Sequence, residues 1–397
     1  MHHVAPHDNF TIIKNLDNTV QKCLEQMDND QAFWIADFNR IRRSLALWEE
    51  NLSRLHIHYA MKCCDEPELL KFLADRGVAY DCASEDEIRR ILALGVDANR
   101  IVFAHPIKSI DSIKYAKENG VTRLVYDTES ELRKILRYYP EAEVFLRIKP
   151  RFTHAKIQLS NKFGADPKEV PKLMQLASEL GANFIGFSFH VGSLCDDITT
   201  FRVALEYVAE LKAKAEQLGL NVSFIDIGGG FLPPSIKAKY TFAEIAEAIN
   251  TAIDELFDGD EIEFLAEPGR FIASDFMDLV MPVICVKEHH DPDGDEQAVF
   301  IAEGIYGAFN ALNYDHAEPH FLIRTEGASE GEMIKTRLWG QTCDSEDLVY
   351  EELSWPRLEV GDYLMIEKFG AYTYAPTSFF NGFMHHKVFH INEEDEE

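Results

Sequence analysis

The chain has 397 residues, is 46% hydrophobic, and carries 39 Lys and Arg against 68 Asp and Glu, a formal net charge of −29. That length allows two domains with a large core, and so acidic a surface excludes nucleic acid and anionic membranes as partners, while suiting a cationic small substrate. Seven cysteines, odd in number and without zinc spacing, point to a reducing compartment; with no apolar signal core at the start and no membrane-length apolar run, the expected location is cytoplasmic.

In chain order, residues 1–37 read as a lead-in, with a helix-like stretch at 15–27 and a strand-like one at 32–36. Eight short apolar runs follow, at 56–61, 79–84, 101–106, 122–128, 143–150, 183–192, 222–230 and 263–269. Each breaks off in polar, charged or glycine residues, and most gaps are helix-like, as at 85–94 and 201–218. A strand–helix unit repeated eight times predicts a (β/α)8 barrel over 38–276. Beyond it the period changes. Strand-like runs at 276–287, 297–302, 336–339, 363–368 and 387–391, with a polar turn at 289–296, predict a second, β-rich domain. The strand at 32–36 is expected to join it, making that domain discontinuous, 1–37 with 277–397, and the acidic end at 393–397 reads as a solvated tail.

In such a barrel, chemistry sits at the strands' C-terminal ends. Those ends hold Lys62, Asp81, Arg147, His190, Gly228-Gly229-Gly230 and Glu267 with Arg270. Three glycines let backbone N–H groups crowd around an anion without Cβ clashes, and barrels bind phosphate after strands seven and eight. With Arg270 next door, this reads as a phosphate site rather than a tight turn beside a surface arginine. A lysine at the end of strand one is ordinarily a surface charge. At the mouth of an apolar barrel Lys62 is partly desolvated, which favours the neutral amine that attacks an aldehyde. A phosphate site and this lysine across one mouth point to pyridoxal 5'-phosphate. Glu267 then serves as the carboxylate at the ring nitrogen, and Ser193 as a phosphate hydroxyl. His190 offers a ring to stack on the cofactor, although alone it reads as a satisfied core histidine. Arg147 calls for an anionic partner. Adjacent histidines (His2-His3, His289-His290, His385-His386) point to opposite faces of a strand, so no metal site is expected.

A longer set of blocks then falls in order: Tyr59-Ala60-Met61-Lys62, Asp81-Cys82-Ala83-Ser84, Lys162-Phe163-Gly164, Phe189-His190-Val191-Gly192-Ser193, Asp226-Ile227-Gly228-Gly229-Gly230, Glu267-Pro268-Gly269-Arg270, Tyr314-Asp315-His316, Thr342-Cys343-Asp344, Gly370-Ala371-Tyr372 and Phe380-Asn381-Gly382-Phe383. On these the chain resembles pyridoxal-phosphate-dependent decarboxylases of the alanine-racemase-like fold, in particular eukaryotic-type ornithine decarboxylases. The resemblance implies that Lys62 carries the cofactor. It assigns Glu267 to the ring nitrogen and His190 to the ring face. It assigns Ser193, Gly230, Arg270 and Tyr372 to the phosphate, with Gly228, Gly229 and Gly269 among the cofactor-binding residues. Asp81 and Arg147 would be polar groups near the cofactor, with Glu87 a supporting carboxylate. Asp315, beside Tyr314, and Asp344 would hold the substrate's distal amine, and Cys343 would direct a proton to the carbon that loses CO2. In the family Cys343 and Asp344 reach in from the partner chain, so the resemblance implies a homodimer with shared sites. Phe380 would be an interface aromatic, and Lys162 with Asp347 and Asp127 with Lys287 would be interchain ion pairs. The implied reaction is ornithine to putrescine and CO2, in polyamine biosynthesis, with side activity on lysine. Lysine or arginine decarboxylation on the same scaffold, or a non-catalytic regulator like antizyme inhibitors, are the alternatives. Cys64, Ser345, Glu346 and Pro376 depart from the family pattern, the middle two beside the substrate-amine acid.

Overall fold

The apolar runs form the eight parallel strands of a closed barrel: Leu55–Ala60, Ala79–Cys82, Ile101–Phe103, Arg123–Tyr126, Glu143–Ile148, Asn183–Phe189, Phe224–Asp226 and Glu263–Ala266. They are numbered here as barrel strands one to eight. The computed structural model describes residues 9–27, 30–152, 155–156, 162–291, 294–325 and 333–392. His2-His3, the acidic tail and the centre of the acidic turn at 292–293 lie outside the described residues. The chain divides into two compact units, Arg43–Ile272 and the combination of Met1–Arg42 with Ala273–Glu397.

Side chains alternate along a strand, so one buried row defines which residues share its face. In the barrel that row is Val102, Val125, Phe145, Ile185, Phe224 and Leu265, an apolar belt. Two residues onward from four of these stand Asp127, Arg147, Asp226 and Glu267. Two residues back stand Arg123, Glu143 and Glu263. The period of two therefore builds a polar layer above the belt and another below it. The intervening helices begin where hydroxyl side chains accept the first free N–H groups: Ser84 from Glu87, Thr128 from Glu131, and Thr241 from Glu244 in a reciprocal capping box.

The other unit is a nine-stranded mixed sheet among the described residues. Phe10–Ile13 runs parallel to Phe321–Arg324, which pairs with Tyr363–Ile366 and through it with the long Met277–Asp291. Gly294–Ile301, Met333–Trp339 and Leu348–Pro356 continue the sheet. Phe33–Asp37 joins it between Met277–Asp291 and Lys387–Ile391, so the early strand does complete the β-rich unit. The expected turn at 289–296 is corrected: its flanks continue the hairpin ladder, with His289 opposite Glu296 and His290 opposite Asp295. Among the described residues, no helix is long and apolar enough to cross a membrane.

Candidate active site

Lys62 stands two residues past Ala60, the end of the first barrel strand, and its ammonium donates to Asp81 Oδ2 at 3.1 Å. The lysine side chain is 47% exposed and the aspartate 3%, so desolvation falls on Asp81 rather than on the lysine. Glu87, in the first turn of the helix after strand two, accepts the Ala83 N–H at 2.5 Å. Burial pushes its carboxyl up to about 7, with the Asp81 charge adding to the rise and Lys62 opposing it. These three groups form one charged corner of the mouth.

Beside it, Glu267 follows strand eight, which pairs with strand one, and is 9% exposed. Burial pushes it up to about 7, and the Asp81 charge adds to that. Lys62, Arg147 and a hydrogen bond with Asp226 pull it back. Asp226 is pushed higher still, by burial and then by Glu267, while its Oδ1 accepts the Gly228 N–H at 2.8 Å. Two carboxyls this close cannot both ionise, and burial together with the Glu267 charge favours the shared proton on Asp226. Asp226 was not singled out from the sequence. Its signal was available: it stands two residues before Gly228, on the inward face shared with Phe224.

His190 follows strand six. Its Nδ1 accepts the Gly192 N–H at 3.0 Å, which leaves the ring proton on Nε2. Burial, then the charges of Arg147 and Lys62, hold its pKa well below the usual imidazole value, so the ring is neutral. Arg147 lies with its guanidinium 5.5 Å from the Phe163 ring centre, and its charge is felt at Glu267 and Asp127.

The glycine loop lies flush against neighbouring strand ends. A Cβ on Gly228, Gly229 or Gly230 would meet the carbonyls of Phe189, Glu267 or Gly192 at 2.4, 2.7 and 2.5 Å. Gly228 spends its N–H on Asp226, so the amides of Gly229 and Gly230 are the ones left for an anion. Arg270 donates through Nε to Ser193 Oγ at 3.1 Å. Glycine amides, a hydroxyl and a guanidinium make a phosphate-binding donor set, and Lys62 supplies an amine for an aldehyde, so the residues fit pyridoxal 5'-phosphate. A Cβ on Gly269 would meet Cys63 Cβ at 3.0 Å, so this glycine permits close packing behind the lysine.

The remaining expected residues belong to the β-rich unit. Asp344 accepts a short hydrogen bond from the Tyr306 hydroxyl and the N–H of Glu346 at 3.2 Å. The Tyr306 hydroxyl, then the backbone N–H of Glu346, hold Asp344 below the usual carboxylate range. Tyr306 stacks on Phe380 with ring centres 4.3 Å apart. Cys343 is exposed, and its backbone N–H donates to Asn381 Oδ1 at 2.9 Å. Tyr306 and Asn381 were also not singled out; only this contact reveals them. Asp315 closes the short helix Asn310–Tyr314, with Tyr314 81% exposed, and Tyr372 takes a left-handed backbone conformation at φ +57°. Asp347 is enclosed, accepting from the N–H groups of Ile305 and Thr342 and from the Thr342 hydroxyl. A pair with Lys162 of a second copy would have to form on those same oxygens. Asp127 likewise turns inward to accept the Gly164 N–H at 2.9 Å.

Residues 38–274 match the pyridoxal-binding domain of the pyridoxal-dependent decarboxylases. Ornithine decarboxylase of Mus musculus is 36% identical over 97% of this chain and 85% of its own length. Antizyme inhibitor 2 of Xenopus laevis is 37% identical over 92% of this chain and 82% of its own length. The crystal structure of the Paramecium bursaria Chlorella virus arginine decarboxylase superposes with a TM-score of 0.85 at 33% identity, covering 94% of this chain and 99% of that one.

Proposed function

This chain belongs to the pyridoxal-dependent decarboxylase family, and on that premise we propose that it decarboxylates basic L-amino acids with ornithine preferred, yielding putrescine and CO2. When bound, pyridoxal 5'-phosphate supplies an aldehyde to capture the substrate amine and a ring that draws off the electron pair left by departing CO2. Lys62 holds the aldehyde end, with Asp81 steadying its ammonium whenever the amine is released. Glu267, kept ionisable because Asp226 retains the shared proton, holds a proton at the ring nitrogen. His190, neutral and fixed in one tautomer, presents a flat uncharged face. Arg270, Ser193 and the amides of Gly229 and Gly230 grip the phosphate.

One observation carries the choice of a basic substrate. Asp344 is held ionised by Tyr306, and with Asp315 it offers acid to a distal cation, while a distal carboxylate would be repelled. Glu346, adjacent, adds to the same sign of charge. We also propose that the chain works as a homodimer in which Cys343 and Asp344 of one copy serve the Lys62 site of the other, with Cys343 delivering the proton to carbon. The exposed Cys343 and the exposed apolar set Phe379, Phe380, Phe383 and Met384 support this reading.

The test is CO2 release from ornithine, lysine and arginine at equal concentration. Ornithine is expected to lead. Lysine, one methylene longer, should trail by the factor that about 1–3 kcal/mol represents. Lys62→Ala should abolish release. Arginine leading would replace ornithine with the reading that the viral relative suggests. A non-catalytic regulator, suggested by the antizyme inhibitor relative, would show no absorption band from bound cofactor; Lys62, Asp81, Arg270, Tyr372 and Cys343 all being present speaks against it.

A further inference from the structure

Two residues past the strand Gly294–Ile301 of the β-rich unit stands Glu303, a buried carboxylate that the proposed reaction does not use. Its Oε1 accepts the Gly304 N–H at 2.7 Å, and its Oε2 lies 3.2 Å from His386 Nε2. The His385-His386 rings go separate ways. His385 stacks on Tyr374 with ring centres 4.6 Å apart, while His386 turns to Glu303. The imidazole is 10% exposed and the carboxylate 3%, so neither end of the pair is a loose surface contact. Removing one member of such a pair leaves the other buried and uncompensated.

What Glu303 leans on is the turn Gly304-Ile305-Tyr306-Gly307, closed by the Gly307 N–H on the Gly304 carbonyl at 3.0 Å. A Cβ on Gly307 would lie 1.9 Å from Glu303 Oε1, and one on Gly304 would lie 2.3 Å from Asp347 Oδ1. Each end of the turn is thus pressed against a buried carboxylate. Asp347 also takes the Ile305 N–H at 2.9 Å, and the Tyr306 carbonyl accepts the Ser378 N–H at 2.9 Å. The turn so clamped carries Tyr306, whose hydroxyl donates to Asp344 and whose ring stacks on Phe380. A cavity of about 10 Å³, room for one water, is bordered by Glu303, Tyr306, Thr342, Phe380 and His386, so the pair and the tyrosine share one packed space. A hydrogen bond weakens steeply when its donor is misaligned, so slack in this turn would be felt at Asp344.

We infer that Glu303 and His386 are positioning residues for substrate recognition: together they hold the Gly304–Gly307 turn so that Tyr306 stays on Asp344, and so set how tightly the distal amine is gripped. This rests on the proposed role of Asp344 toward that amine. The test is steady-state kinetics of the full cofactor-loaded enzyme with ornithine. His386→Ala should raise KM about tenfold with kcat within about twofold of wild type, the split left by losing a contact made equally in ground and transition states. His386→Gln, which returns an N–H beside Glu303, should bring KM back to within about threefold. Added to Asp344→Asn, His386→Ala should raise KM by less than about twofold more, since the pair acts through the charge already removed. Should His386→Ala not fold, Glu303→Gln repeats the cycle. A readout free of substrate is 3-fluorotyrosine at position 306: its fluorine resonance should move in His386→Ala and return in His386→Gln. KM unchanged in the pair's variants, kcat falling with KM unmoved, losses that add in the double variant, or an unmoved fluorine resonance would each overturn the inference. If Asp344→Asn itself leaves KM unchanged, the reading of Asp344 falls instead, and the fluorine resonance alone decides whether the pair holds Tyr306.

Discussion

Asp226 and Glu267 are buried side by side, and two carboxylates so placed cannot both ionise. Because the proton stays on Asp226, an amide in its place should do the same work: Asn keeps an oxygen for the Gly228 N–H and an N–H for Glu267. Asp226→Asn is therefore expected to stay within about threefold of wild-type kcat/KM, while Asp226→Ala, which leaves both partners unmet, should lose about 10- to 100-fold. Steady-state kinetics with both variants decides this, and an Asn variant as poor as Ala would refute the protonation assignment. The sign of the pH dependence follows from Glu267. Its carboxylate is the working form, so activity should fall as pH drops through about 7, the value burial gives it. Most of the mouth's residues were legible in the chain because they sit at run ends, where a lysine, histidine or glutamate breaks an apolar stretch. Asp226 was not, because inside a strand it looked like one more alternating residue.

At the level of elements, the barrel strands were legible because they are buried on both faces and read as continuous apolar runs. Phe10–Ile13, Phe321–Arg324 and Leu348–Pro356 were not expected from the sequence. Their exposure alternates or breaks, as in the buried–intermediate alternation of Phe321–Arg324, and four such residues do not separate strand from loop. The acidic hairpin was read as a turn for the opposite reason: its polar residues are in a regular ladder, where pairing with the neighbouring strand outweighs their low strand propensity. Barrel strand six shows how tightly the elements meet. Gly186 has φ +156°, and a Cβ there would lie 1.7 Å from the Phe224 carbonyl oxygen of strand seven. Neither backbone can retreat without breaking the closed ladder. Gly186→Ala is expected to cost about 3 kcal/mol or more, read as a lower urea midpoint. A midpoint equal to wild type would mean the two strands are not held in this register.

For the whole molecule, the proposed shared sites make a sharp prediction. Lys62→Ala and Cys343→Ala should each be nearly inactive alone. Mixed and allowed to exchange subunits, they should recover roughly a quarter of the wild-type sites, since half the dimers would be hybrid with one intact site each. No recovery on mixing, with hybrids confirmed by mass, would place both residues in sites made within one copy. The chain's division also bears on how it is made. The β-rich unit joins residues before Arg43 to residues after Ile272. Phe10–Ile13 pairs with Phe321–Arg324, and Phe33–Asp37 with Met277–Asp291 and Lys387–Ile391. On the ribosome those first strands emerge long before their partners, and they wait with open edges while every residue of the barrel is translated. The nascent chain thus carries two sticky β-segments at its leading end for most of its synthesis, which makes this end the natural place for a chaperone to hold.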